Sequence, residues 1–151
     1  MVWALARLLH LSRDANEINA VVNDPDVRPY AGAPELGPLD FTQAVADPEN
    51  WFLTGEFGGF AFIPEADGER EVHAFFMPEG RGRWASQASR EAIAYLADHG
   101  VSRLIARVAD DRRDLALFAR RAGMRPTESA VDVVGVPSTV YALEIASCPR
   151  L

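Results

Sequence analysis

The stretch EVHAFFMPEGRGRWA, residues 71–85, changes from a strand pattern to a helical pattern across two glycines and two arginines. Up to Met77 the side chains alternate between two faces, which is the period of a strand. From Ala85 onward, small and apolar residues recur at three- and four-residue steps: Ala88, Ala92, Ile93 and Leu96. Gly100 stands where a helix C-cap glycine belongs. The stretch therefore predicts a strand that enters a helix through a Gly/Arg turn.

The residues that follow predict a second strand, a second helix and a hairpin. VSRLIARV, residues 101–108, has the composition of a strand, and DDRRDLALFARRAG, residues 110–123, predicts a helix that Gly123 caps. Apolar residues alternate near the C-terminus, in residues 129–146, and predict a hairpin that turns near residues 136–138.

The N-terminal half predicts one helix and an antiparallel meander. Asp14 is a capping residue, apolar residues follow it at helical spacing, and Pro25 ends the pattern. WFLTGEFGGFAFIP, residues 51–64, predicts two strands around a turn at residues 58–59, and a second turn leads to the strand quoted above. The order of elements predicts an α/β protein with a mixed, mostly antiparallel sheet, flanking helices and a central β-α-β crossover.

Length and composition limit the class of protein. The 151 residues, 48% of them hydrophobic, predict a single domain over residues 1–151 with one core. No apolar run reaches the roughly 18 residues of a membrane span, and no small-residue cleavage site follows the N-terminal apolar stretch. A soluble, unexported, cytoplasmic protein is therefore expected. Cys148 is the single cysteine, which excludes an internal disulfide and a cysteine-based metal cluster.

The charge is divided unevenly along the chain. All 15 basic residues are arginines; residues 1–69 carry three of them against twelve acidic residues, and residues 70–151 carry twelve against ten. The two halves therefore have net charges of −9 and +2. Nucleic-acid binding is not expected of such an acidic protein, because it requires a basic surface, whereas the cationic half can take one small anionic ligand.

The order of elements, with a Gly/Arg turn in the crossover, resembles the GNAT superfamily of acyl-coenzyme A-dependent N-acetyltransferases. The resemblance covers nearly the whole chain and implies acetyl-coenzyme A (acetyl-CoA) as the cofactor and an unidentified amine as the acceptor. Four segments look more narrowly like the GNAT-like proteins of tailed bacteriophages and prophages: INAVVNDPDVRPYAG, NWFLTGEFGGFAF, EVHAFFMPEGRGRWA and RVADDRRDLALFARRAGM.

The turn is the expected coenzyme A site. Backbone N–H groups at a helix start bind a pyrophosphate, and the turn's glycines allow positive φ and close approach. The resemblance gives these cofactor-binding residues: Met77, Arg81, Gly82, Arg83, Trp84, Ala85 and, for the pantetheine arm, Arg112. The family pattern is Arg or Gln, two residues, Gly, one residue, then Gly or Ala, so Trp84 and Ser86 depart from it. Trp84 either fills the space of the pyrophosphate or packs on the sheet.

The strand before the turn supplies the candidate catalytic bases. His73 is preferred, because its ordinary pKa near 6.5 suits proton removal at neutral pH, and Glu71 is the second candidate. A histidine that merely bonds to a neighbour is the alternative. The resemblance puts Ala119 where the family usually has a general-acid tyrosine. Transfer remains feasible without it, because water can protonate a thiolate whose pKa lies near 8.5.

Other residue patterns predict no further chemistry. The three histidines, His10, His73 and His99, lack metal-ligand spacing, so no metal is expected. Asp110 and Asp111 are expected to cap the helix that follows them.

Two functions remain open at this stage. The first is an acetyl-CoA-dependent N-acyltransferase. The second is a GNAT-fold protein without transfer activity that serves as a structural or accessory, virion-associated component of a bacteriophage particle. Its partners would be other phage proteins, bound through the proline-rich segment of residues 24–40, which contains the apolar Val27, Tyr30 and Leu36. A solvated surface loop is the alternative interpretation of this segment. The sequence leaves oligomer formation open.

Overall fold

A computed structural model of the chain describes residues 7–32, 34–132 and 135–145. The strands are β1 His10–Ser12, β2 Trp51–Gly55, β3 Gly58–Ala66, β4 Glu69–Phe76, β5 Arg103–Ala109, β6 Arg125–Val131 and β7 Pro137–Glu144. The helices are α1 Ala15–Val22, α2 Thr42–Ala46, α3 Arg83–Asp98 and α4 Arg113–Arg121. Short 3-10 turns occupy Arg28–Tyr30, Pro34–Leu36 and Pro78–Gly80.

The strands of the described residues form one sheet in the order β1-β2-β3-β4-β5-β7-β6. Strands β4 and β5 pair in parallel, and α3 is the crossover between them. Their register runs from Glu69–Arg103 to Glu71–Ile105 and stops before either strand ends. The predicted mixed, mostly antiparallel α/β fold is confirmed.

The chain divides into two compact units, one of Met1–Phe62 with Ala74–Ala92 and one of Ile63–His73 with Ile93–Leu151. The single domain expected from the sequence stays a prediction. No helix in the described ranges has both the length and the apolar character of a membrane span. Cys148 lies outside the described residues.

The first unit buries one face of α1 and the start of α3. Asp14 caps α1 as expected, since its side chain accepts from the N–H of Asn16, and the helix buries Ile18 and Val22. Glu91 of α3 accepts hydrogen bonds at 2.9–3.2 Å from the backbone N–H groups of Leu8 and Leu9. A single carboxylate therefore fastens the N-terminal chain to the helix.

The second unit has its apolar core on β5 and β7. On one face of these strands Ile105, Val140 and Ala142 form a small cluster with Ala130 of β6 packed against it. The next residues along each strand point the other way, and there Leu104 and Leu143 are buried as well. These two strands are therefore covered on both faces.

Three sequence expectations are wrong in detail. Gly58 and Gly59 lie in β3 rather than in the turn, which falls at residues 56–57. A side chain at either glycine would collide with a neighbouring backbone, so close packing rather than a turn explains these glycines. The last hairpin turns before Pro137, which already pairs with Val131; residues 133–134 of the turn are outside the described ranges.

The third wrong expectation concerns the start of α4, where Asp110 and Asp111 were expected to cap the helix. Arg112 is its N-cap residue, whereas Asp110 accepts a hydrogen bond from the hydroxyl of Thr139 at 2.7 Å. A tertiary partner on β7 thus replaces the local capping role. Strand β1 and helix α2 have sequence patterns too short to predict.

Candidate functional site

The candidate cofactor turn connects β4 to α3 within the first unit. Met77 donates its N–H to the carbonyl of Phe57 at 2.8 Å, and its own carbonyl accepts from Gly80 at 2.9 Å. The 3-10 turn ends at Arg81, whose backbone is extended, and Gly82 follows with φ +112°. The connection between β2 and β3 therefore holds the turn in place through the carbonyl of Phe57.

Different physical constraints require glycine at the two glycine positions of the turn, Gly80 and Gly82. A Cβ at Gly80 would lie 2.6 Å from the Cβ of Phe57, so this position is fixed by close packing. A Cβ at Gly82 would meet nothing within 4 Å, so that position is fixed by its positive φ alone. The space beside Gly82 is open, which is what the approach of a bulky anion to the backbone requires.

Arg81 turns its guanidinium onto the protein itself. Its Nη2 donates to the carbonyl of Asp26 at 2.7 Å, and both Nε and Nη2 donate to the carbonyl of Phe76, at 3.2 and 3.1 Å. The guanidinium carbon also lies 5.0 Å from the centre of the Tyr30 ring. The residue ties the turn to the segment after α1.

Trp84 belongs to an aromatic cluster in the first unit. Its ring meets Phe57 edge-on at 5.5 Å between centroids and Phe76 edge-on at 5.9 Å. The side chain is half-buried, and a Cβ at Gly55 or Gly80 would touch its ring at 3.1 and 3.3 Å. Of the two roles expected from the sequence, the indole packs on the sheet.

Arg83 and Ala85 occupy the first turn of α3. Ala85 is almost fully buried, so its side chain is not available to a ligand. The side chain of Arg83 is exposed and makes no hydrogen bond or ion pair with any residue that the structure describes. The first N–H groups of a helix have no partners within the helix, and Ser86 is the first residue here that bonds back, to the carbonyl of Gly82.

Glu71 and His73, the candidate bases, lie side by side on β4 in the second unit. The Nε2 of His73 is 2.7 Å from Oε1 of Glu71. The Glu71 side chain is only 15% exposed, whereas that of His73 is 59% exposed. The histidine can therefore meet a solute, while the carboxylate is held back against the sheet.

Desolvation by the surrounding chain lowers the pKa of His73 below its usual value. The adjacent carboxylate works in the opposite direction. Arg107 binds the other carboxylate oxygen of Glu71, and 59% of the His73 side chain is exposed. The lowered pKa favours the neutral imidazole, which is the form that can accept a proton.

Arg107 and Glu65 join this pair and were missed by sequence reasoning. The Nη1 of Arg107 donates to Oε2 of Glu71, and its Nη2 donates to Oε1 of Glu65 at 2.6 Å. Arg107 is on β5 and Glu65 on β3, so no local spacing reveals the contact. The alternation along β5 was the only available signal.

Arg112 and Ala119 are the two positions at and in α4 that the sequence analysis singled out, Arg112 for the pantetheine arm and Ala119 in place of the usual tyrosine. Both Nε and Nη2 of Arg112 bind the carboxylate of Asp114, at 3.2 and 3.0 Å, and this lowers the pKa of Asp114 below its usual range. Ala119 is buried. The arginine is therefore engaged with an acidic neighbour, and no hydroxyl stands at position 119.

Polar contacts fold the segment of residues 24–40 on itself and join it to Asn23 at the end of α1. Arg28 donates to the carbonyls of Gly32 and Gly37, and Asn23 exchanges hydrogen bonds with the backbone of Leu39. Val27 is buried, whereas Tyr30 and Leu36 are 48% and 68% exposed.

Among the described residues there is no group of three or more His, Cys, Asp or Glu able to hold a metal.

Solved structures with similar folds include acetyltransferases. One, a GNAT-family acetyltransferase from Bacillus anthracis, has a TM-score of 0.71 at 17% identity, covering 95% of this chain and 98% of that chain. A chimera of the spermidine N-acetyltransferase SpeG from Vibrio cholerae and hSSAT has a TM-score of 0.68 at 15% identity, covering 93% and 97%. A GNAT-family protein from Desulfovibrio desulfuricans has 0.70 at 16%, covering 91% and 98%.

The fold is that of the GNAT acetyltransferases. No protein-family model matches the chain, and no curated protein matches it in sequence. At identities of 15–17% the likeness shows the GNAT fold and nothing finer. The narrower resemblance to phage proteins stays a prediction.

Proposed function

We propose that this GNAT-fold chain is an acyl-CoA-dependent N-acyltransferase that acts on an amine. The observation that carries the proposal is the turn before α3, where Gly82 has a positive φ and open space beside it. Anions bind where such a turn leads into a helix N-terminus. The proposal includes the cytoplasmic location expected from the sequence.

The turn fits a pyrophosphate through its backbone. The N–H groups of Arg83, Trp84 and Ala85 begin α3, and the helix dipole favours negative charge there. Arg83, without a described partner, adds a charge-assisted hydrogen bond to a phosphate oxygen, whereas Arg81 shapes the turn by holding Asp26 and Phe76. Met77 contributes by fixing the turn to Phe57.

When bound, acyl-CoA would supply an acyl group activated as a thioester. His73 accepts a proton from the attacking amine, directly or through water, as the new C–N bond forms and the C–S bond breaks. Its Nε2–H donates to Glu71, which leaves Nδ1 as the accepting atom. With Ala119 in place of a tyrosine, water protonates the thiolate that leaves.

Coenzyme A binding tests this proposal. Coenzyme A at 100 times its Kd is expected to raise the free energy of unfolding by about 2.7 kcal/mol, seen as a higher Tm. Pantetheine, which lacks the pyrophosphate, serves as the matched control and should give a much smaller rise. Acyl transfer is then measured as thiol release from acetyl-CoA with spermidine and simpler amines. An unchanged Tm at millimolar coenzyme A would refute the proposal.

The alternative is a GNAT-fold accessory or structural protein, such as a phage component, without transfer activity. It is favoured by Ala119 and by the engagement of Arg81 and Arg112 within the chain. The exposed Leu36 and Tyr30 of residues 24–40 are its candidate contacts. Leu36→Glu should then prevent assembly without lowering Tm, as judged by light scattering with the partner particle. Normal assembly of this variant would count against the alternative.

A further inference from the structure

Four side chains of the second unit form one continuous polar network: Glu65, Arg107, Glu71 and His73. Glu65 binds Nη2 of Arg107 at 2.6 Å, Nη1 of Arg107 binds Oε2 of Glu71, and Oε1 of Glu71 lies 2.7 Å from Nε2 of His73. Each oxygen of Glu71 thus has its own partner. The carboxylate bridges an arginine and a histidine.

The sheet register makes this contact. Glu71 pairs with Ile105 in the parallel β4–β5 ladder, and Arg107 is two residues further along β5, on the same face. Glu71 is 15% exposed, while Arg107 and Glu65 are 44% and 34% exposed. The least exposed of these side chains is therefore Glu71, which lies between the guanidinium of Arg107 and the imidazole of His73.

We infer that Arg107 is a positioning residue for His73, acting through Glu71. The inference rests on the proposed function in so far as His73 is the base. With Arg107 on Oε2, Glu71 presents Oε1 to the imidazole, so the His73 proton is held on Nε2 and Nδ1 is left to accept. The guanidinium also offsets the charge of Glu71, which would otherwise stabilise the imidazolium and remove the base.

Arg107 remains charged in this arrangement. The hydrogen bond to Glu65 is the main cause that raises its pKa, and the charges of Glu65, Glu69 and Glu128 add to it. These acidic groups come from β3, β4 and β6. The charge of Arg107 is therefore constant over the range in which His73 titrates.

The protein offers a matched control in Arg103, which lies outside this network. It lies on the same strand and face as Arg107 and likewise bridges two glutamates, Glu69 at 2.8 Å and Glu144 at 3.0 Å. It is 38% exposed, against 44% for Arg107. Arg103→Met therefore removes the same charge and a similar pair of contacts without touching Glu71.

The test is a histidine NMR titration of Arg107→Met, Arg107→Lys and Arg103→Met, with the His73 signal assigned by its loss in His73→Asn. Arg107→Met should raise the His73 pKa by about half a pH unit or more, because an uncompensated carboxylate then faces the imidazole. Arg107→Lys keeps the charge but cannot bridge both glutamates, so the fraction of His73 with its proton on Nε2 should fall. Arg103→Met should change neither quantity.

Equal pKa changes in Arg107→Met and Arg103→Met would overturn the inference, as would a folded Arg107→Met with the wild-type pKa and tautomer. If Arg107→Met does not fold, the tautomer in Arg107→Lys decides, and a wild-type tautomer there refutes the role. Where transfer is measurable, the acidic limb of kcat/KM should move with the NMR pKa. Absence of transfer refutes the proposed function alone, because the titration does not depend on activity.

Discussion

The guanidinium of Arg81 lies 2.7 Å from the backbone carbonyl of Asp26, 55 residues earlier in the chain. This hydrogen bond joins the turn before α3 to the segment that follows α1. Arg83, two residues on, has no such partner among the described residues. Two arginines that look equivalent in the sequence therefore have separate roles, one within the protein and one available to a ligand.

Exchange of each arginine for glutamine should separate these roles. Arg81→Gln is expected to lower the free energy of unfolding by about 1 kcal/mol, because it removes charged hydrogen bonds to two carbonyls. Arg83→Gln should leave stability unchanged and weaken coenzyme A binding several-fold, with less dependence on salt than in the wild type. Urea unfolding and titration calorimetry measure the two effects. The reverse pattern would show that the roles are exchanged.

Trp84→Ala should destabilise the first unit without improving coenzyme A binding. The indole packs edge-on against Phe57 and Phe76, so its removal leaves a cavity that costs about 2–3 kcal/mol, below the range for a fully buried tryptophan. Trp84→Phe keeps most of the contact and serves as the control. Tighter coenzyme A binding by the alanine variant would mean that the indole blocks the site.

The two glycines of the turn should respond differently to alanine. Gly80→Ala sets a methyl group against Phe57, and overpacking of this kind costs about 1–3 kcal/mol. Gly82→Ala meets no neighbour but strains a backbone at φ +112°, at a cost of about 1–2 kcal/mol. Only Gly82→Ala should also impair coenzyme A binding beyond its effect on Tm. Wild-type binding by a folded Gly82→Ala would argue against the turn as the cradle.

The pH dependence of stability and of kcat/KM should reveal the titration of His73. Its folded pKa is lowered below 6.5, so its contribution to stability is fully present above pH 6.5 and is lost as the pH falls through the folded pKa. As a base it should give kcat/KM an inflection below pH 6.5. Glu71→Gln removes the carboxylate beside the imidazole and should lower the NMR pKa further. A His73 pKa above 6.5 in the wild type would contradict both the sign and the role.

The sequence determined the order of the longer elements and the buried side of α3. The three- and four-residue spacing of Ala88 and Ala92 marks the buried side of α3, and both are buried in the structure. Gly100 and Gly123, predicted as C-cap residues, follow α3 and α4 with positive φ. These features are readable because they depend on neighbours within one or two turns of the chain.

Tertiary structure alone decided the partners of the side chains. Arg107 reaches Glu71 across 36 residues because two strands pair in one register, and no local pattern specifies that register. The same holds for Arg81 and Asp26. Glycines are equally ambiguous: Gly58 reads as a turn residue, but only the strand that passes close to it explains why a side chain is excluded there. The chain's periodicity fixes what is buried, whereas the packing of distant segments fixes which groups meet.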